Sequence, residues 1–221
     1  RMLKSKGPKR ADREEADKDE GPVARELRHI RKLSGQSKID EDELDEVIDA
    51  PTRSASNKEL QDYLNRTVDK KKLKNIIKLI LKTAKNRNQV FTCGNGGSAS
   101  TADHLTCDFT KGTSINTNLN IKSFSLNSNM SLVTAIANDI SYDEIFSFQL
   151  TKYGNKNDVL LLFSVSGSSK NIIKCALAAK KKNIKVISFT GFDGGKIRRV
   201  SDYNLNFFSN NFGIVEDCHL T

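Results

Sequence analysis

The sequence predicts an α/β fold over residues 57–221: a doubly wound parallel sheet of five strands with helices on both faces. Three observations predict it. From Lys58 onward, short apolar segments alternate with segments of helical period about 10–15 residues long. Val159–Val165 is a nearly unbroken apolar run, as a strand covered on both faces requires. Two strand-to-helix junctions carry glycine- and serine-rich loops, where parallel sheets of this class bind ligands.

Taken in order, Leu60, Tyr63, Leu64, Leu73, Ile76, Ile77, Leu79, Ile80 and Leu81 recur at helical intervals with lysines between them, which predicts one or two amphipathic helices. The first strand is Gln89–Cys93, ending in Gly94-Asn95-Gly96-Gly97-Ser98, and a helix runs from Ser98 to about Lys111. Strand Ile121–Leu126 follows, then helices over Met130–Ala137 and Tyr142–Lys152. Val159–Val165 breaks at Ser166-Gly167-Ser168-Ser169 and enters a helix over Asn171–Lys182. Strand Lys185–Thr190, a short helix and strand Tyr203–Phe208 complete the pattern.

Residues 1–56 read differently. Up to Ser54 they hold all three prolines, charge runs such as Lys9-Arg10-Ala11-Asp12-Arg13-Glu14-Glu15, and no Phe, Tyr or Trp. Short helices are expected over Val23–Leu33 and Glu41–Ile48, in an extension that is partly helical or disordered and carries no recognisable chemistry. It reads as foreign to the domain that follows, as a fusion would.

The net charge of +9 fits an anionic partner, or simply a lysine-rich wet surface. No nucleic-acid module signature and no membrane-length apolar run is present, so neither nucleic acid nor membrane is expected as a partner, and a soluble cytoplasmic protein is. Cys93, Cys107, Cys175 and Cys218 form no C-x-x-C pair, which argues against a zinc ribbon or a disulfide framework.

The loop Gly94–Ser98 opens a helix, whose free N–H groups favour an anion. It fits a loose dinucleotide pattern with Ala99, but no acidic residue ends the next strand, and it lacks the G-K-[ST] of a P-loop. A plain tight turn is the alternative. Ser164-Val165-Ser166-Gly167-Ser168-Ser169 brings four hydroxyls to a second helix start, which suits a phosphate. His104 and Asp108 lie four apart on one helix face. They are candidates for a metal or for proton transfer, or form a surface pair. Asn138-Asp139, at a helix end, could bind sugar hydroxyls or be an ordinary polar terminus. Glu216, Asp217 and His219 cluster at the end of the chain, where a solvated tail is the plain alternative.

Five segments in order, Gly94–Ser100 with His104 and Asp108, Ala137-Asn138-Asp139, Ser164–Ser169, Thr190–Lys196 and Gly213–Asp217, resemble the signature of the phosphoheptose isomerases of the sugar isomerase (SIS) superfamily. The resemblance covers about residues 58–221. It implies a five-stranded parallel sheet, an N-terminal helical hairpin used in oligomer packing, and a homotetramer with sites at subunit interfaces. It implies interconversion of sedoheptulose 7-phosphate and an aldose heptose 7-phosphate through an enediol, aided by a zinc ion. Carried over by motif, Asn95, Gly96, Gly97, Ser98, Asp139, Ser164, Ser166 and Ser169 would bind the substrate. His104, Asp108 and Glu216 would be the catalytic or zinc-ligating groups.

Two departures stand out. Asp108 takes the place of a glutamate, and Glu216 that of a glutamine. The resemblance further implies a last helix that runs beyond Thr221 and carries another catalytic histidine, so a domain truncated at that helix is expected. The alternative expectation is a non-catalytic SIS module that binds a sugar phosphate or a protein partner such as a replication initiator.

Overall fold

The computed structural model describes residues 57–115, 117–209 and 211–220. The charged extension and its two expected helices lie outside the described residues. The apolar stripes of the first segment fold as two helices, α1 (Asn57–Thr67) and α2 (Lys70–Lys85). Asp69 caps α2 by accepting from the Lys72 N–H at 2.8 Å. There follow β1 (Gln89–Gly94), α3 (Gly97–Thr110), β2 (Lys122–Ser125) and α4 (Met130–Asp139). A 3-10 turn (Tyr142–Glu144) leads into α5 (Ile145–Tyr153), so the single helix expected over Tyr142–Lys152 is split. Ser141 caps that turn at the Asp143 N–H, a local bond that competes with a regular helix start. The chain continues through β3 (Val159–Ser164), α6 (Lys170–Lys181), β4 (Lys185–Thr190), α7 (Ile197–Val200), β5 (Tyr203–Asn206) and α8 (Phe212–Leu220). The Glu216–His219 segment is therefore helix, not a solvated tail; Val215 and Cys218 bury against the sheet side of the molecule and hold it there.

The five strands are parallel, in the order β2-β1-β3-β4-β5. Side chains alternate across a strand, and β3 shows why its run is apolar throughout. Leu160 and Leu162 face a core formed with Ile145, Phe146, Leu150 and Ile172, from α5 and α6. Val159, Leu161 and Phe163 face the opposite core, with Tyr63, Ile76, Ala102 and Ile214 from α1, α2, α3 and α8. Every residue of β3 is buried. All four cysteines are free; burial pushes the Cys93 thiol up, and Cys218 up to about 12, so both stay protonated in the core. No described helix is long and apolar enough to cross a membrane.

The end of the sheet away from the loops is pinned by Asp158, which is 1% exposed. Its carboxylate accepts from the Gln89 N–H at 2.8 Å, the Asn155 N–H at 2.7 Å and Asn88 Nδ2 at 3.3 Å. Asp158→Ala leaves two partly buried backbone donors without this partner, a cost of about 2 kcal/mol. Urea unfolding is expected to show that loss.

Candidate active site

The strand order reverses between β1 and β3, so the helices that follow them leave on opposite faces of the sheet. Ala102 of α3 joins one core and Ile172 of α6 the other. A crevice opens at such a switch point, beyond the carboxyl ends of the strands. Gly94 pairs with Phe163, one residue before Ser164, which sets the two glycine- and serine-rich loops side by side at that crevice.

Both helices begin without a side-chain cap: Gly96 offers none to α3, and the Ser169 hydroxyl does not cap α6. The Ala99 N–H bonds the Gly96 carbonyl and the Ile172 N–H the Asn171 side chain, so it is the remaining first N–H groups, with the partial positive charge of each helix start, that face the crevice. Ser98 and Ser164 are 3% and 6% exposed, and neither hydroxyl makes a hydrogen bond among the described residues. The Ser166 hydroxyl accepts from the Ser168 N–H at 3.3 Å and keeps its own proton to give. Four serines thus bring donors to one place.

The serine loop is held by a third loop. Gly167 (φ +59°) and Gly195 (φ +55°) lie against each other's neighbours so closely that a Cβ on Gly167 would strike the Gly194 carbonyl, and one on Gly195 the Ser166 carbonyl. No other residue type tolerates both the positive φ and that approach. The segment Thr190–Lys196 is thereby a buttress for Ser166.

Glu216 comes to the crevice from α8. Its carboxylate lies against Gly97, where an added Cβ would collide with both oxygens. His104 and Asp108 stand one turn apart further along α3, His104 Nε2 3.4 Å from Asp108 Oδ2, with 65% and 56% of their side chains exposed. At a rise of about 1.5 Å per residue, His104 lies about 10 Å along the helix from Gly97. One chain therefore keeps Glu216 apart from the pair expected to ligate with it. Among the described residues no three His, Cys, Asp or Glu side chains converge to hold a metal. Among the described residues of one chain, His104, Asp108 and Glu216 thus do not come together as a zinc site.

Asp139 ends α4 with its side chain exposed, and its carboxylate accepts from Asn138 Nδ2 at 2.8 Å. The turn after α4 does reach the site: the Tyr142 hydroxyl donates to Asn95 Oδ1 at 3.1 Å. Asn95 is also joined to Asn171, in the first turn of α6. Sequence reading passed over both Tyr142 and Asn171; the one available signal was an amide two residues past a serine loop. His219 is turned away from the crevice, among the rings of Phe163, Phe189 and Phe207.

The SIS domain pattern matches residues 56–191. The phosphoheptose isomerase of Helicobacter pylori is 38% identical over 148 residues, 67% of this chain and 77% of that protein. The chain belongs to the SIS-domain phosphoheptose isomerase family. Its fold superposes on the phosphoheptose isomerase of Neisseria gonorrhoeae with a TM-score of 0.65 at 31% identity, covering 74% of this chain and 84% of the other. With that of Francisella tularensis the TM-score is 0.68 at 25% identity, covering 73% and 85%. The matched SIS region contains both crevice loops, the His104–Asp108 pair and Asp139, while α8 with Glu216 lies beyond it.

Proposed function

We propose that this SIS domain is an aldose–ketose isomerase of phosphorylated sugars, acting on sedoheptulose 7-phosphate. The observation that carries the reading is the crevice itself: unspent serine hydroxyls and two uncapped helix starts meet a carboxylate over Gly97. Phosphate oxygens accept from Ser164, Ser166 and Ser169 and from the first N–H groups of α6. Ser98 and Asn95 hold sugar oxygens beside α3, and Asp139 accepts from a sugar hydroxyl. Glu216, at the sugar end of the crevice, takes the proton from C1 of the open-chain ketose. The resulting enediol regains a proton at C2, while the hydroxyl proton moves from O1 to O2 in the reverse sense of the bond shift.

The exposed His104–Asp108 pair is assigned to proton handling in the crevice of another copy, within a homotetramer in the cytoplasm. Zinc, on this reading, draws on His104 and Asp108 only together with donors from another copy.

The test is turnover of sedoheptulose 7-phosphate by the full chain. His104→Ala and Asp108→Asn are each expected to lower kcat by about 10²–10⁴-fold, the worth of a positioned acid–base group. Full-rate turnover by either variant would sink these assignments. Tight sugar-phosphate binding without turnover would favour a non-catalytic sensor or docking module instead.

A further inference from the structure

Asn95 and Asn171 clasp one another across the crevice between the two loops. Asn95 Nδ2 donates to Asn171 Oδ1 at 3.0 Å, and Asn171 Nδ2 donates back to Asn95 Oδ1 at 2.9 Å. Asn171 is 2% exposed, and its Oδ1 also accepts from the Ile172 N–H at 2.9 Å. That backbone donor decides the orientation of the Asn171 amide, since only an oxygen can accept from it. The orientation of Asn95 follows: its nitrogen must face Asn171 Oδ1 and its oxygen Asn171 Nδ2.

The Asn95 amide is then nearly used up. An amide oxygen has two lone pairs and an amide nitrogen two protons. Asn95 Oδ1 accepts from Asn171 and from the Tyr142 hydroxyl, which takes both lone pairs. One Nδ2 proton goes to Asn171. What remains is a single N–H.

We propose that Asn171 is a positioning residue for this site: through the clasp it holds Asn95 so that one free N–H, and no acceptor, faces the ligand. The group Asn95 recognises is therefore an acceptor oxygen, a sugar carbonyl or hydroxyl, and a donor-only group such as an ammonium finds no partner there. The identity of the ligand as a sugar phosphate rests on the isomerase reading. The clasp also ties the start of α6 to the glycine loop, so loss of Asn171 misplaces the donor instead of removing it.

Asn171→Asp separates positioning from simple packing. With two N–H donors and the positive start of α6 beside it, the carboxyl stays ionised near neutral pH and sets two acceptors face to face across the clasp. Affinities for sedoheptulose 7-phosphate and for inorganic phosphate are measured by titration calorimetry on the full chain, each as a ratio to the wild type. Asn171→Asp is expected to bind the sugar phosphate about tenfold more weakly, one well-made hydrogen bond, beyond any loss it shows for inorganic phosphate. Asn171→Leu is expected about tenfold weaker for the sugar phosphate, with KM raised more than kcat is lowered.

A purely structural Asn171 would lower the melting temperature of both variants and weaken inorganic phosphate and the sugar phosphate alike, as would simple repulsion by the new carboxylate. Equal losses for the two ligands, or wild-type affinity in Asn171→Leu, overturns the proposal. Tyr142→Phe guards against misfolding, because Tyr142 is 57% exposed. It is expected to weaken binding about threefold, a fraction of a hydrogen bond, at unchanged melting temperature; unchanged affinity counts against the clasp. Failure of the isomerase reading is separately visible: the wild type then binds the sugar phosphate without turning it over, and the affinity ratios still report on Asn171.

Discussion

Gly97→Ala is expected to lower kcat/KM by about 100-fold or more, the effect of displacing a catalytic group by about 1 Å. The new methyl has no room, because the space where it would sit is filled by both oxygens of the Glu216 carboxylate. Glu216 can swing away, since its side chain is flexible and only partly buried. The helix start need not move, and the melting temperature should fall by no more than a few degrees. Steady-state kinetics of Gly97→Ala, Glu216→Ala and the double variant check the argument. If the methyl acts by expelling the carboxylate, the double variant loses no more than Glu216→Ala alone, because the two changes remove one interaction. Additive losses would mean that Gly97 serves the loop backbone and not the carboxylate.

The second large effect is on stability below neutral pH. His219 sits in α8 among Phe163, Phe189 and Phe207, and among the described residues neither ring nitrogen makes a well-formed hydrogen bond. Burial pushes its pKa down from the ordinary 6.5 to about 4, with the Thr190 backbone opposing this only in part. The lowered value means that the folded protein resists protonation while the unfolded chain accepts it. Above pH 6.5 both states are neutral, and nothing is lost. As pH falls from 6.5 to about 4 the unfolded state gains a proton that the folded state refuses, and stability drops. A gap of about 2.5 units corresponds to roughly 3 kcal/mol. Urea unfolding at pH 7 and pH 4 should show that loss in the wild type. His219→Phe should lack this part of it, since a phenyl ring fits the same aromatic cluster and cannot titrate. An equal loss in His219→Phe would assign the acid sensitivity to other groups. Beside His219 lies a cavity of about 270 Å³, also lined by Leu64, Val68, Leu73, Phe189 and Phe207. None of the crevice serines, Asn95 or Glu216 borders it, so a pH effect there is separable from the chemistry.

Much of this architecture was legible in the order of the residues. The period of two in a doubly covered strand becomes an unbroken apolar run, and Val159–Ser164 forms as that run requires. Helix stripes show their period directly, as in α1, α2 and α6. The two loops were legible because glycine and serine at a strand end have a local physical meaning, and their placement side by side follows from the pairing of the two strands. The split at Tyr142 was not, since a single Ser141 hydroxyl bond decides it. Nor was the fate of His219, because no local pattern tells a histidine at the end of a chain that three phenylalanines from other elements will surround it.

The sequence by itself determined the fold class, the two anion-favouring loops and the family, because each is encoded in spacing along one stretch of chain. Only the tertiary structure decided which side chains meet: Asn95 with Asn171 and Tyr142, Glu216 with Gly97, and His104–Asp108 apart from Glu216. These partners are up to 119 positions apart in sequence, as Glu216 and Gly97 are (216 − 97). Their meeting depends on strand order and helix packing, which are set by the burial of both cores at once and not by any local propensity.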